Sequence, residues 1–386
     1  MLALLAILPI LLTGCGGGRT ATPTPTVVAS PTRPTVPGTP QATPAIAVSP
    51  RPAGLLPIAA TMNDILADEG GIYGVVAETP NGTVLYSHNA DVPFVAASLY
   101  KLVVMADCYD LRQAGQLNFD EQLPLLQQYF SDPDDLDDGL FTMDDVGTSI
   151  PLHEALTYMI QWSNNIAARA LIARVGAESI NAEAQRLGMT HTLFEVDLRH
   201  LQGWPPEPAP GETAATSQAV QYIEQWAAAN DPTVILTTPS DIAHFFQLLL
   251  AGKVVNQQAS AEMLDLLKGQ NVDTKFPVLL PPDAVIAHKT GELDGVSHDA
   301  GVIYAPSGPI ILAVLSENVP AEGHADDVIQ RLALVAYGTR AIPPYPVVTP
   351  STSQPQTAGA SGTASTDGTD IPATSPPEEP TAGTGS

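Results

Sequence analysis

Ser98-Leu99-Tyr100-Lys101 is the first stretch of the chain whose residue types and spacing could do chemistry. In a helix, a spacing of three puts Lys101 one turn from Ser98 on the same face. A serine hydroxyl is a poor nucleophile until a neighbour takes its proton. A lysine in a desolvated pocket can lose its charge and be that neighbour. A serine at a helix start also offers its own backbone N–H to a developing oxyanion. Two further groups follow. Ser163-Asn164-Asn165 comes after the apolar run Tyr158-Met159-Ile160-Gln161-Trp162. Lys289-Thr290-Gly291 comes after Ala284-Val285-Ile286-Ala287-His288, which reads as a strand. On an edge strand, Lys and Thr can hold a substrate carboxylate, and Gly lets a substrate backbone approach closely.

In this order the three groups resemble the Ser-x-x-Lys, Ser-Asp-Asn and Lys-Thr-Gly set of the penicillin-recognising serine enzymes, the class A β-lactamases and penicillin-binding proteins. The flanking text is similar to class A. Phe94-Val95-Ala96-Ala97 precedes Ser98, Thr237-Thr238-Pro239-Ser240-Asp241 opens a late helix, and Ser297-His298-Asp299-Ala300-Gly301 follows the Lys-Thr-Gly strand. The resemblance spans essentially all of 56–340. It implies that Ser98 is the acylated nucleophile and Lys101 its base or part of a proton relay. It implies that Ser163 passes a proton to the leaving β-lactam nitrogen and that Asn165 bonds the substrate's side-chain amide. Lys289 and Thr290 would hold the substrate carboxylate beside Gly291, and the oxyanion hole would be the N–H groups of Ser98 and Glu292. It implies no cofactor.

Two departures stand out. Asn164 replaces the family Asp, whose role is mainly structural, so retained geometry with altered local stability is expected. Class A enzymes also place a deacylating Glu in a Glu-x-x-Leu-Asn loop after a Gly-x-x-x-Thr stretch. Here Gly188-Met189-Thr190-His191-Thr192 is followed by Leu193-Phe194-Glu195-Val196-Asp197. Glu195 is the candidate base, with Asp197 near it. Neither sits in the pattern, and a solvated loop acid is the alternative. Three readings stay open: a class A-type β-lactamase with slow hydrolysis, a penicillin-binding or D-Ala-D-Ala peptidase-like enzyme acting on peptidoglycan stems, and a non-catalytic wall-associated module.

Other groups are weaker. Asp132, Asp134, Asp135, Asp137 and Asp138 end at Gly139. No EF-hand register fits them, because the third position from Asp134 is Leu136. A solvated acidic loop is expected. The eight His form no His-x-x-x-His pair, so no metal site is expected. His298 is read as orienting local structure rather than as a catalyst. Cys108, in an apolar run, reads as a buried free thiol.

The elements that must position these residues are legible in outline. Residues 72–78 and 83–87 flank Pro80-Asn81-Gly82, a strong hairpin signal. Residues 98–114 read as a helix with Leu99, Leu102, Val103, Ala106 and Tyr109 on one stripe. The segments 152–161, 163–175, 179–187, 217–229, 239–251 and 260–268 read as further helices. Strands return at 284–289, 297–304 and 309–316, with Pro306-Ser307-Gly308 as a turn. Strands, then helices, then strands make an α+β fold. Its antiparallel sheet draws strands from both ends of the domain and packs against a helical part, as in the β-lactamase fold.

The ends are a different material. Residues 1–15 run from an apolar stretch into Leu12-Thr13-Gly14-Cys15, which resembles a lipoprotein signal ending at a lipobox Cys. No Lys or Arg precedes the apolar stretch, which points to a start further upstream. A diacylated Cys15 would anchor an exported protein stably to the outer face of a bacterial cell membrane. Residues 16–55 and 346–386 are rich in Pro, Thr, Ser and Gly and read as a disordered linker and tail. The linker could reach on the order of 100 Å as polyproline II. The domain between, 56–345, reads as a monomer. Of 15 Lys and Arg and 41 Asp and Glu in the 386 residues, Arg19, Arg33 and Arg51 lie before it and four acids after it. The domain therefore carries 12 basic and 37 acidic residues, a net of −25, so the acidity is its own. That charge argues against nucleic acid, which needs clustered Lys and Arg. Two Cys exclude a disulfide framework.

Overall fold

The computed structural model describes residues 58–338, apart from Asp137, Asp231, Pro232, Ala321 and Glu322. The expected signal, Cys15, the linker and the tail lie outside the described residues. The chain opens with helix α1 (Ile58–Leu66) and the hairpin β1 (Ile72–Glu78) and β2 (Val84–His88). Gly82 closes the expected turn at φ 80°, a left-handed value that Gly adopts freely, and its N–H donates to Thr79 O at 2.8 Å. Three long strands end the sheet: β8 (Ile286–Leu293), β9 (Val296–Ala305) and β10 (Gly308–Glu317). The sheet order is β2-β1-β10-β9-β8, with β1 and β10 antiparallel, Val75 opposite Val314. The first and last strands of the domain thus pair as expected, and β8, the Lys289 strand, forms one edge.

Side chains alternate across this sheet, as a two-residue period requires. Val75, Ala77, Leu312 and Val314 pack against α1 and the last helix, α9 (His324–Tyr337), through Met62, Val328 and Leu332. Ile72, Val76, Ile311, Ala313 and Leu315 face the helical part. That part comprises α2 (Lys101–Gln113), α3 (Leu152–Gln161), α4 (Asn165–Val175), α5 (Ala177–Arg186), α7 (Pro239–Leu250) and α8 (Gln257–Lys268). Three of these start on side-chain caps, α4 on Asn164, α7 on Thr238 and α8 on Asn256. Thr238 Oγ1 accepts from Asp241 N at 3.2 Å with Pro239 at the first position, and Asn256 accepts from Ala259 N at 2.9 Å.

Several boundaries differ from the sequence reading. Ser98 sits in a 3₁₀ turn (Ala97–Tyr100) that feeds α2 rather than in the α-helix itself. Every residue from Lys101 to Tyr109 is buried, so α2 runs through the core and has no single apolar stripe. Ser163 lies between α3 and α4, not inside a helix. The Lys289 strand runs on to Leu293, which places Lys289 mid-strand. A two-stranded ladder, β4 (Gln122–Pro124) with β5 (Ser149–Pro151), flanks the acidic loop. A small sheet orders β3 (Phe94–Val95), β7 (Thr233–Thr237) and β6 (Leu193–Asp197). It packs on α6 (Thr213–Ala229) through Val95, Val234, Leu236 and Ile223. Cys108 is a buried free thiol in α2. No helix among the described residues is long and apolar enough to cross a membrane.

Candidate active site

Ser98 is delivered by a tightly held chain segment. Val95 N donates to Glu317 Oε2 at 3.3 Å, Ala96 N to Ile235 O at 2.8 Å, and His298 Nε2 to Val95 O at 2.8 Å. His298 Nδ1 accepts from Ser316 N at 3.1 Å, so the ring must be neutral with its proton on Nε2. Burial agrees, because it pushes the imidazole down to about 4. The same burial pushes the Glu317 carboxyl well up. These bonds hold Ala97 at φ 43°, a left-handed value that a side chain disfavours. Strand β8 lies against this turn. A Cβ on Gly291 would come within 3.3 Å of Ser98 N and 3.2 Å of Ala97 Cβ, so Gly is what lets the two backbones meet. His298 thus orients the site's backbone, as its sequence position suggests.

Behind Ser98 lies a chain of three polar groups. Lys101, fully buried at the start of α2, donates to Ser163 O, to Asn165 Oδ1 at 2.6 Å and to Ser163 Oγ at 3.2 Å. Lys289, also fully buried, donates to the same Ser163 Oγ at 2.9 Å and to Thr290 O at 2.9 Å. One hydroxyl therefore bridges two lysine amines. Ser163 reaches this place at φ 58°, with Asn164 N closing the end of α3 on Tyr158 O at 3.1 Å. Burial pushes Lys101 well below its ordinary value, and the Lys289 charge adds to that. Burial pushes Lys289 down to about 7, with Asp299 opposing and Lys275 adding. An amine near neutrality can accept a proton, and its neighbour hydroxyl can carry one.

The acidic loop is not the solvated loop expected from its sequence. Asp132 and Asp134 are exposed, but the Asp135 side chain is only 4% exposed and forms an ion pair with Arg169 of α4. Asp135 Oδ1 accepts from Asn165 Nδ2 at 2.7 Å. Asp138 Oδ2 accepts from Asn164 Nδ2 at 2.7 Å, while Asn164 Oδ1 caps α4 by accepting from Ala167 N at 2.8 Å. A cap of this kind contributes about 1 kcal/mol. Arg169 lies four residues after Asn165, one turn along the same face. That spacing is the one signal in the sequence that could have tied the loop to the site. Among the described residues no group of three or more His, Cys, Asp or Glu could hold a metal ion.

In front of Ser98 is a cavity of about 490 Å³. Its polar lining includes Ser98, Tyr100, Asn165, Glu195 and Glu292, and Trp226, Ile235 and Leu293 form apolar walls. Glu195 arrives through a break in the β6–β7 register between Leu193 and Val196, at φ 51°. Bulges of this kind re-aim a side chain. Asp197 is not part of the lining. It is tied to Arg199 at 2.7 Å and His200 at 3.1 Å, and the Arg199 hydrogen bond holds its carboxyl well below the usual range. The two acids that the sequence left side by side are separated by the fold. Glu292 also takes a hydrogen bond at 3.3 Å from Lys275, a buried lysine that the sequence reading missed.

The sequence model of the β-lactamase enzyme family matches residues 57–339. The chain belongs to this family. A β-lactamase of Amycolatopsis lactamdurans is 26% identical over 273 residues, 69% of this chain and 78% of that protein. A D-alanyl-D-alanine endopeptidase of Pseudomonas aeruginosa is 28% identical over 204 residues, 51% of this chain and 61% of that protein. The crystal structure of a β-lactamase from Sphaerobacter thermophilus superposes with a TM-score of 0.56 at 26% identity, covering 73% of this chain and 96% of that one. The same fold, at 19% identity and a TM-score of 0.55, occurs in a variant of PBP-A solved as its acyl-enzyme with penicillin G. Ser98, Lys101, Ser163, Asn165 and Lys289 all lie within the matched range. Asn164, where the family motif has Asp, caps α4 through Oδ1 and donates through Nδ2 to Asp138.

Proposed function

We propose that this β-lactamase-family serine hydrolase is acylated at Ser98 by β-lactams and releases the acyl group slowly. The observation that carries the reading is the unbroken chain Lys101–Ser163–Lys289 behind a cavity that Ser98 and Glu195 share. The Lys101 amine, neutral, takes the Ser98 proton directly or through a relay as Ser98 Oγ bonds to the lactam carbonyl carbon. The oxyanion develops between the N–H groups of Ser98 and Glu292. The proton passes through Ser163 Oγ to the lactam nitrogen as the C–N bond breaks. Lys289 and Thr290 hold the substrate carboxylate, and Asn165 its side-chain amide. Glu195 then takes a proton from water as the water oxygen bonds to the ester carbon, and returns it to Ser98 Oγ as the bond from that carbon to Oγ breaks.

Glu195 lies outside the family's usual loop pattern, and a misplacement of 1 Å can cost about 10²-fold in rate. Slow deacylation follows. Hydrolysis of a chromogenic cephalosporin is expected to show a burst of acylation and a slow steady state. Glu195→Gln should remove the steady state and keep the burst, while Asp197→Asn changes neither. Turnover of hundreds per second, or full turnover in Glu195→Gln, would contradict this. The Pseudomonas aeruginosa relative supports a second reading, a peptidase acting on peptidoglycan stems through the same acylation half.

The lipobox resemblance at Cys15 supports an exported, lipid-anchored protein. The wild type is then expected in the membrane fraction and Cys15→Ser in the soluble one. A wild-type protein found wholly soluble outside the cell and cleaved past Cys15 would count against the anchor.

A further inference from the structure

The acidic loop is wired into the site's own hydrogen bonds. Asp135 lies in the 3₁₀ turn Pro133–Leu136 and binds one end of the Asn165 amide, Nδ2, at 2.7 Å. The other end, Oδ1, accepts from Lys101 Nζ at 2.6 Å. A carboxylate can only accept, so it decides which end of the amide faces which neighbour. A flipped amide would set Nδ2 against the lysine N–H groups and Oδ1 against the carboxylate, and both bonds would be lost. Arg169 Nη1 holds the other carboxylate oxygen and donates to Tyr129 O at 2.6 Å, which ties the clamp to α4 and the preceding turn.

This matters for the base. A neutral lysine amine has two hydrogens and one lone pair. With its hydrogens on Ser163 O and Asn165 Oδ1, the remaining position faces Ser163 Oγ at 3.2 Å, so the lone pair is aimed into the relay that takes up the Ser98 proton. Without a fixed acceptor at Asn165 the amine can rotate, and the lone pair loses its aim.

We propose that Asp135 is a positioning residue for acylation: it fixes the Asn165 amide and through it aims the Lys101 amine. This rests on Lys101 being the base of the reaction proposed above. The charges facing Lys101 are Lys289 from β8, Arg169 from α4, and Asp135 and Asp138 from the loop. The cations lower its proton affinity and the two carboxylates raise it. Removing the Asp135 charge therefore lowers it further. Acylation needs the neutral amine, so its acid limb must move to lower pH.

The test is single-turnover acylation by penicillin G, followed by intact mass across pH. It compares the wild type, Asp135→Asn, Asp135→Glu and Asp132→Asn, the last removing an exposed charge from the same loop. The labelled fraction reports folding, and the rate constant of that fraction reports positioning. Asp135→Asn should react at least about tenfold more slowly at neutral pH, the scale of a sub-ångström misplacement. Its acid limb should lie below that of the wild type. Asp135→Glu keeps the charge, so its limb should stay in place while its rate constant falls. Asp132→Asn should match the wild type in both. An Asp135→Asn protein whose labelled fraction shrinks, but whose labelled molecules react with the wild-type rate constant and limb, would make the loop merely structural and overturn the proposal. If Asp135→Asn leaves no labelled fraction, a wild-type rate constant in Asp135→Glu overturns it instead. A wild type that takes no label refutes the acylation reading itself, before any variant is compared.

Discussion

The Ser98→Ala protein is expected to take up no mass from any penicillin, while the wild type gains one acyl group. Ser98 is the serine that lines the cavity, next to a backbone held by Glu317, His298 and Ile235. The other nearby serine, Ser163, is shared by two lysines and lies behind the cavity. Ala at position 98 leaves those supports in place, because none of them uses the Ser98 side chain. Loss of a serine nucleophile costs about 10⁶-fold in turnover where it has been measured on comparable chemistry. Intact-mass spectrometry after long exposure to penicillin G checks the expectation. Label retained by the variant would put the nucleophile elsewhere.

Lys101→Ala should slow acylation by about 10²-fold or more, the size of a general-base contribution. The variant also leaves Ser163 O and Asn165 Oδ1 without their donor, so both the proton acceptor and the geometry around it are lost. In the wild type the pH profile of acylation carries the same information. Lys101 is pushed well below its ordinary value, chiefly by burial. The rate should therefore rise with pH as Lys101 loses its proton, well before the pH at which an ordinary lysine would. The second-order rate constant should fall again above about 7, where the free protein's Lys289 loses the charge that attracts an anionic substrate. Rapid-mixing measurement of acylation against pH checks both limbs. An acylation rate that Lys101→Ala leaves unchanged would remove this lysine from the mechanism.

The parts of this account that were legible in the sequence are those decided by local rules. The Asn81-Gly82 turn, the Thr238-Pro239 helix start and the long apolar strands at the end of the domain follow from turn chemistry, capping and periodicity. The three motif groups were legible differently, through their resemblance in order and spacing to those of the penicillin-recognising serine enzymes. The short strands β3, β6 and β7 carry no such signal, because two to five residues become a strand only when a distant partner pairs with them. The two acids of the 195–197 stretch look equivalent in sequence. They differ in the fold because a break in one strand register sends Glu195 to the cavity and leaves Asp197 with Arg199. Asp135 was hidden for a similar reason. Whether an acid in an acidic run is solvated or buried depends on Asn165 and Arg169, 30 and 34 positions away.

The most direct test is a mass-spectrometric time course of the wild-type protein with excess penicillin G, followed by removal of the free drug and peptide mapping. The account predicts stoichiometric addition of one intact penicillin, mapped to the peptide holding Ser98, and slow loss of that mass once the drug is gone. Failure to form any adduct while the drug remains intact, or an adduct mapped to a residue other than Ser98, would contradict it.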